Sequence, residues 1–268
     1  MLQIAPAPRS EVHLPSEADA MTCVDGRDPS LIVAEARPDA PAHRWREPTR
    51  STATRKPSDV SHHSGRPVIV TIEDHREMLC ESGLEAKAAF VLMARPNCLR
   101  LQEQPDPVDY IDREGKKRTH TFDFLMTLRS GARIAVAVKP SRIVVKYDLK
   151  SLFTHIARQM DPAFASAVLL LTDGMMPRYE VQNGRLIHDA RRHPDHDTDR
   201  RVREAVAALH GTTTIDDILR AAGLDRHDHG FYAVVRAIGE GLLKPTERGL
   251  IDRSTPIRRA IPGGIGVS

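Results

Sequence analysis

Glu85, Asp123 and Lys139 are the residues of this 268-residue chain whose types combine into a chemistry. Two carboxylates offer hard oxygen donors to a cation such as Mg²⁺, which takes oxygen ligands and keeps several waters. An ion held there stabilises charge on a phosphodiester in its transition state and lowers the pKa of an attacking water. An ammonium beside it orients that water or meets the charge on a five-coordinate phosphate. Each residue also has a plainer use. Glu85 follows Ser82 at the spacing of a helix capping box. Asp123 and Lys139 can form an ordinary surface ion pair, worth little to stability. Lys139 alone can be a strand-end lysine reaching for water. Their meaning depends on the elements that bring them together.

Those elements are legible as patterns. Residues 82–93 read as a helix with Leu84, Ala88, Val91 and Leu92 on one face. Residues 68–71, 99–104 and 108–111 read as strands. The charged run 113–118 reads as a hairpin turn. Residues 120–128 and 133–139 read as two further strands joined by a tight turn at 129–132. Side chains alternate across a strand. Phe122 and Phe124 are therefore expected on one face and Asp123 on the other, while Ala135, Ala137 and Lys139 share a face. The hairpin can then set Asp123 beside Lys139, with Glu85 reaching in from the helix. A helix over 148–160 and an apolar strand over 166–172 complete a mixed α/β sheet.

Four marks follow one another in order: Ser82-Gly83-Leu84-Glu85, Gln104-Pro105, Phe122-Asp123-Phe124 and Val138-Lys139-Pro140. On these marks, residues 66–180 resemble the restriction-endonuclease-like, or PD-(D/E)xK, nucleases, and more narrowly the TnsA-type transposon endonucleases. The resemblance implies an α/β fold, a restriction-endonuclease-like mixed sheet flanked by helices. It implies a metal-dependent endonuclease that hydrolyses phosphodiester bonds of double-stranded DNA at the 5′ ends of a mobile element. The partners it implies are a transposase subunit, which handles the 3′ ends, and an ATPase regulator. By matched motif, Glu85 and Asp123 become ligands of Mg²⁺ or Mn²⁺, Lys139 the catalytic lysine, and Gln104 a structural or site-adjacent residue. The sequence departs from the family two residues before the lysine, where an acidic residue or Gln is usual and Ala137 stands instead. A methyl group ligates nothing, which leaves Glu85, Asp123 and the Val138 carbonyl as ligands. Three readings stay open: an enzyme with a thinner ligand set, a carboxylate supplied from elsewhere, or a decayed nuclease fold serving as a DNA- and transposase-binding platform. Phe122 also replaces the proline usual before the aspartate.

The remaining sequence frames this core. Nine of the nineteen prolines fall within residues 1–67, and residues 1–66 read as a disordered extension that buries too little surface to offset its ordering entropy. Residues 67–184 read as the nuclease domain. Residues 185–268 read as a small winged-helix-like α domain, with helices over 197–210, 214–222 and 230–243 and a hairpin over 244–252. From Arg185 onward there are 14 Lys and Arg against 12 Asp and Glu, so protein contact is at least as well supported there as DNA contact. Lys116, Lys117 and Arg118 at the hairpin tip are the candidate DNA contacts, within a stretch over 80–150 that carries 13 basic against 9 acidic residues. The net charge of +3 permits a nucleic-acid partner, while the 4% aromatic content argues against a single-strand stacking platform. The apolar runs 88–94 and 167–171 are too short to span a bilayer, and the start lacks a secretory pattern. A cytoplasmic protein with no membrane partner is expected. Cys23, Cys80 and Cys98 are scattered and read as reduced thiols. His193, His196, His227 and His229 lack a closed zinc-ligand set and read as solvated. Nucleotide-binding glycine loops are missing.

Overall fold

A computed structural model describes residues 46–54, 66–225 and 228–260. In chain order the elements are β1 (Val68–Val70), β2 (Glu77–Leu79), α1 (Gly83–Met93), β3 (Cys98–Glu103), β4 (Val108–Ile111), β5 (Lys117–His120), β6 (Phe124–Leu128) and β7 (Arg133–Val138). They continue with α2 (Ser141–Lys146), α3 (Leu149–Ala157), β8 (Ala167–Leu171), α4 (Arg178–Arg192), α5 (His196–Ala207), β9 (Thr212–Thr214), α6 (Ile215–Ala221), α7 (Asp228–Gly239), β10 (Leu243–Pro245) and β11 (Pro256–Arg259).

The central sheet has the order β3-β6-β7-β8. β3/β6 and β6/β7 run antiparallel, and β7/β8 run parallel. A parallel pair needs a long crossover, and α2 with α3 supplies it. Alternation sorts the sheet residues onto two faces. Phe124, Met126, Val136 and Val138 pack in one layer with Ala88, Ala89 and Leu92 of α1. Leu125, Ala135 and Ala137 pack in the other with Phe153 and Ile156 of α3. The result is a mixed α/β fold with a mixed sheet flanked by helices. Ser82 caps α1, its hydroxyl accepting from the Glu85 amide, as its sequence position suggests.

Four expectations need correction. First, the strand expected over 120–128 is two strands. Lys117–His120 pairs with β4 in a separate hairpin, and only Phe124–Leu128 joins the central sheet. The chain breaks between them because the Asp123 carboxylate, not a strand carbonyl, receives the Val138 amide at 2.7 Å. The break also turns Phe122 onto the α3 face while Phe124 stays on the α1 face.

Second, part of the expected disordered extension is built into the fold. Thr49 bridges Arg76, the Ser51 hydroxyl donates to Glu103, and the Thr54 amide donates to the Gln104 carbonyl at 3.1 Å. Residues 1–45 and 55–65 lie outside the described residues.

Third, the boundary expected after residue 184 falls inside α4, a 15-residue helix. Val181 belongs to the core under the sheet, whereas Ile187 and Ala190 belong to the core of the following helices. Gly184 sits where α4 crosses α1: a Cβ there would lie 2.7 Å from the Phe90 carbonyl oxygen. Arg191 tightens the junction, donating to the carbonyls of Met93 and Gly239 at 2.6 Å each.

Fourth, the helix expected over 148–160 is α3, and a further short helix, α2, precedes it in the crossover. After α4 come α5, α6 and α7 with a three-stranded sheet in the order β10-β11-β9. This helical lobe has its own apolar core, built around Val202, Ile215, Leu219, Val234 and Val235. Among the described residues, no helix is long and apolar enough to cross a membrane.

Candidate functional site

The site lies where β6 begins and β7 ends. Asp123 immediately precedes β6 and Lys139 immediately follows β7, so the antiparallel pairing brings two residues sixteen apart in sequence into contact. Lys139 Nζ stands 2.9 Å from Asp123 Oδ2 and 3.2 Å from Oδ1. The Val138 amide donates to Oδ2 as well. The Lys139 amide donates to the Leu171 carbonyl at 3.0 Å, which fixes the lysine backbone to β8. Both side chains are partly open, Lys139 at 31% exposure and Asp123 at 15%.

Glu85 reaches the site from the first turn of α1. Its Oε2 accepts from the Glu81 amide at 2.8 Å and its Oε1 accepts from the Ser82 hydroxyl at 2.9 Å. The capping geometry and the placement near Asp123 thus coexist in one side chain. Burial pushes the Glu85 carboxyl above its usual range, and the Asp123 charge pushes it further. Two acids that repel across a partly buried space are the arrangement a cation relieves.

Position 137 contributes nothing polar. Ala137 is fully buried in the apolar layer with Phe122, Leu125 and Phe153. Nearby acids do not replace the missing donor. Glu103 is committed to Arg76, 2.6 Å from Nη1, and to Ser51. Asp173 accepts from the Ser141 amide at 2.7 Å. Val138 meets Asp123 through its amide. Among the described residues, no three His, Cys, Asp or Glu side chains stand together as a group able to hold a metal. The side-chain donor set is therefore two carboxylates, which fit one hard cation whose remaining positions would be filled by water or by a main-chain oxygen such as that of Val138.

One site residue, His120, escapes a reading of the sequence, and a second, Gln104, gains its detail from the structure. His120 ends β5, its ring edge-on to Phe122 at 4.7 Å and to Phe153 at 5.2 Å. Its Nε2 is buried without a protein partner. Burial lowers its pKa, Lys139 lowers it further, and Asp123 opposes both. Gln104 is nine-tenths buried and its amide donates to the Asp123 carbonyl at 3.0 Å. Its Oε1 also lacks a protein partner. An unpaired buried polar atom is a state no sequence pattern encodes.

The basic hairpin tip is less cationic than its sequence suggests. Lys116 Nζ lies 3.0 Å from Glu114, and Arg118 Nε lies 3.0 Å from Asp112. Lys117 is exposed on the same hairpin, whose second strand leads through His120 to Asp123. Cys80 lies close enough to Glu85 and Glu103 to feel both charges, and its thiol is pushed up to about 12, chiefly by burial. A thiol pushed up in this way disfavours the reactive thiolate.

No family model matches the chain, and no curated protein is significantly similar to it.

Proposed function

We propose that the chain is a metal-dependent DNA endonuclease of the TnsA-like kind. The observation that carries the reading is the convergence of Asp123 and Lys139 at 2.9 Å at the ends of the two inner strands, with the Asp123 charge acting on Glu85. Glu85 and Asp123 would hold Mg²⁺ or Mn²⁺. When bound, the ion supplies charge stabilisation and a more acidic water. The chain's own groups do the rest. The Val138 amide fixes the Asp123 carboxylate, and Asp123 in turn holds the Lys139 ammonium facing the open edge. Lys139 there orients a water or meets a phosphate oxygen. The hairpin bearing Lys117 offers a contact to the DNA backbone beside the site.

The C-terminal lobe is proposed as winged-helix-like on its order of elements, α5-β9-α6-α7-β10-β11. Its third helix is not offered to a DNA groove: Ala233–Gly239 is buried, and α7 packs on both α4 and α5. The Asn183 amide of α4 also clamps the wing, donating to the Gly249 carbonyl at 2.8 Å and accepting from the Ile251 amide at 2.9 Å. This lobe braces α4, and its outer surface suits a protein partner such as a transposase or ATPase subunit.

The burial of Ala137 in an apolar layer favours a second reading, a decayed site on a fold kept as a binding platform. Cleavage of supercoiled plasmid and of a labelled duplex with Mg²⁺ or Mn²⁺ separates the two. The nuclease reading expects cutting by wild type and a loss of at least about 10³-fold in Asp123→Ala and Lys139→Ala. Silence from wild type with both metals and with the transposase subunit present sinks it and leaves the platform.

A further inference from the structure

Gln104 combines three features. Its φ is +38°, in the left-handed region that side-chain-bearing residues rarely occupy. It precedes Pro105, which restricts its backbone further. Its side chain is buried, yet the amide oxygen finds no protein partner. Non-glycine residues held in sparse backbone regions persist only where their surroundings over-determine them, and they cluster at functional sites. An orphaned buried acceptor likewise calls for an explanation.

The surroundings do over-determine this residue. Glu103 pairs with Phe124 at the end of β3, and Gln104 continues that edge by donating its amide to the Asp123 carbonyl at 3.0 Å. On its other side the Gln104 carbonyl accepts from both the amide and the hydroxyl of Thr54, at 3.1 Å each. Thr54 belongs to the segment anchored by Ser51 on the buried Glu103–Arg76 pair. A connected path thus runs from residues 51–54 through Gln104 to the main chain of Asp123.

We propose that Gln104, clamped by Thr54, is a positioning residue that sets Asp123 for the reaction. The inference rests on the nuclease reading and deepens it. The Asp123 carboxylate is aimed from one side by Lys139 and Val138, and its backbone is set from the other by Gln104. The left-handed turn gives that amide its direction. Small misplacements of a reacting group cost rate steeply, so loosening the turn lowers turnover without weakening DNA binding.

The test uses the full chain and three readouts: plasmid cleavage resolved into kcat and KM, Mn²⁺ affinity by calorimetry, and the melting temperature. Gln104→Gly keeps the main-chain amide and removes the constraint on the turn. Gln104→Asn keeps a side-chain amide on a residue that tolerates the left-handed region. Gln104→Gly is expected to lose kcat about tenfold or more, with KM for DNA unchanged and Tm unchanged or raised. Gln104→Asn is expected to stay within a few-fold of wild type. Thr54→Val is expected to lose kcat in the same direction and Thr54→Ser to restore it.

Wild-type kcat in Gln104→Gly, or a loss matched by a fall in Tm, overturns the inference while the nuclease reading stands. Gln104→Asn as poor as Gln104→Gly also overturns it. A wild-type chain that neither binds Mn²⁺ nor cuts overturns the nuclease reading and this inference with it.

Discussion

Arg236 in the helical lobe and Gln104 at the sheet edge are both buried, at 4% and 7% exposure. Their polar atoms fare differently. Arg236 donates to Asp199 at 2.8 Å, to the Ala190 carbonyl at 3.0 Å and to the His193 carbonyl at 2.7 Å. Its remaining nitrogen, Nη2, makes no hydrogen bond but lies 2.7 Å from the same Asp199 carboxylate. Gln104 leaves its amide oxygen without a protein partner, as His120 does its Nε2. Close by, Glu85 and Asp123 repel one another. A buried polar group left unpaired costs about 1–3 kcal/mol. Arg236 Nη2 offsets its missing hydrogen bond with the Asp199 charge, whereas Gln104 Oε1 and His120 Nε2 face no such partner. Arg236 ties α7 to α4 and α5 through these contacts. Gln104 and His120 sit instead beside the Asp123–Lys139 pair.

The sharpest way to break this contrast is Arg236→Ala. Removing one partner of a buried ion pair strands the other charge, at about 3–5 kcal/mol. Two carbonyls and Asp199 lose their donor together. Because α4 serves both cores, the loss is expected across the whole described body, as one transition shifted to lower denaturant. A loss under about 1 kcal/mol in urea unfolding would place Arg236 among ordinary surface pairs and remove one side of the comparison.

Gly184→Ala tests whether the two lobes act as one body. The added Cβ meets backbone, 2.7 Å from the Phe90 oxygen and 2.8 Å from its carbonyl carbon. Backbone cannot swing aside as a side-chain tip does, so α1 and α4 must separate. Overpacking of this kind costs about 1–3 kcal/mol. Since α1 carries Glu85, cleavage is expected to weaken along with stability. Unchanged unfolding and cleavage would show the α1–α4 crossing to be loose and the lobes independent.

Much of the sheet is readable from the sequence because alternation and a sixteen-residue hairpin spacing are local signals. Ser82 capping α1 is equally local. What escapes the sequence is set at long range. α4 is rich in charge, and its few apolar residues divide between two cores, Val181 in one and Ile187 and Ala190 in the other. No single stripe announces it. Residues 46–54 hold their place through Thr49, Ser51 and Thr54, polar side chains whose partners lie far along the chain. The break before β6 depends on one carboxylate taking one amide. At the site, residue types suggested Asp123, Lys139 and Glu85 for one place. Gln104 is legible only as a motif residue near the site; its orphaned oxygen, like the orphaned ring nitrogen of His120, is a property of packing.

The smallest expected effect bears on the repulsion itself. Burial first, and the Asp123 charge second, hold the Glu85 carboxyl above its ordinary 4.5 in the folded chain. Unfolded, it ionises at that ordinary value. Over the interval between the two, the folded state binds more proton, so stability falls as pH rises through it. Below the interval both states are protonated and there is no penalty. Glu85→Gln removes the titration, and its amide oxygen can still accept from Ser82 or the Glu81 amide. The variant is therefore expected to gain on wild type as pH climbs from about 4 to about 7, by under about 4 °C in Tm. Millimolar Mg²⁺ should narrow the gap, because a cation relieves the wild-type pair and does little for the amide. A gap that is equal at both pH values, and indifferent to Mg²⁺, would show that Glu85 is simply a helix cap. The sheet edge would then carry its unpaired polarity at Gln104 and His120 alone.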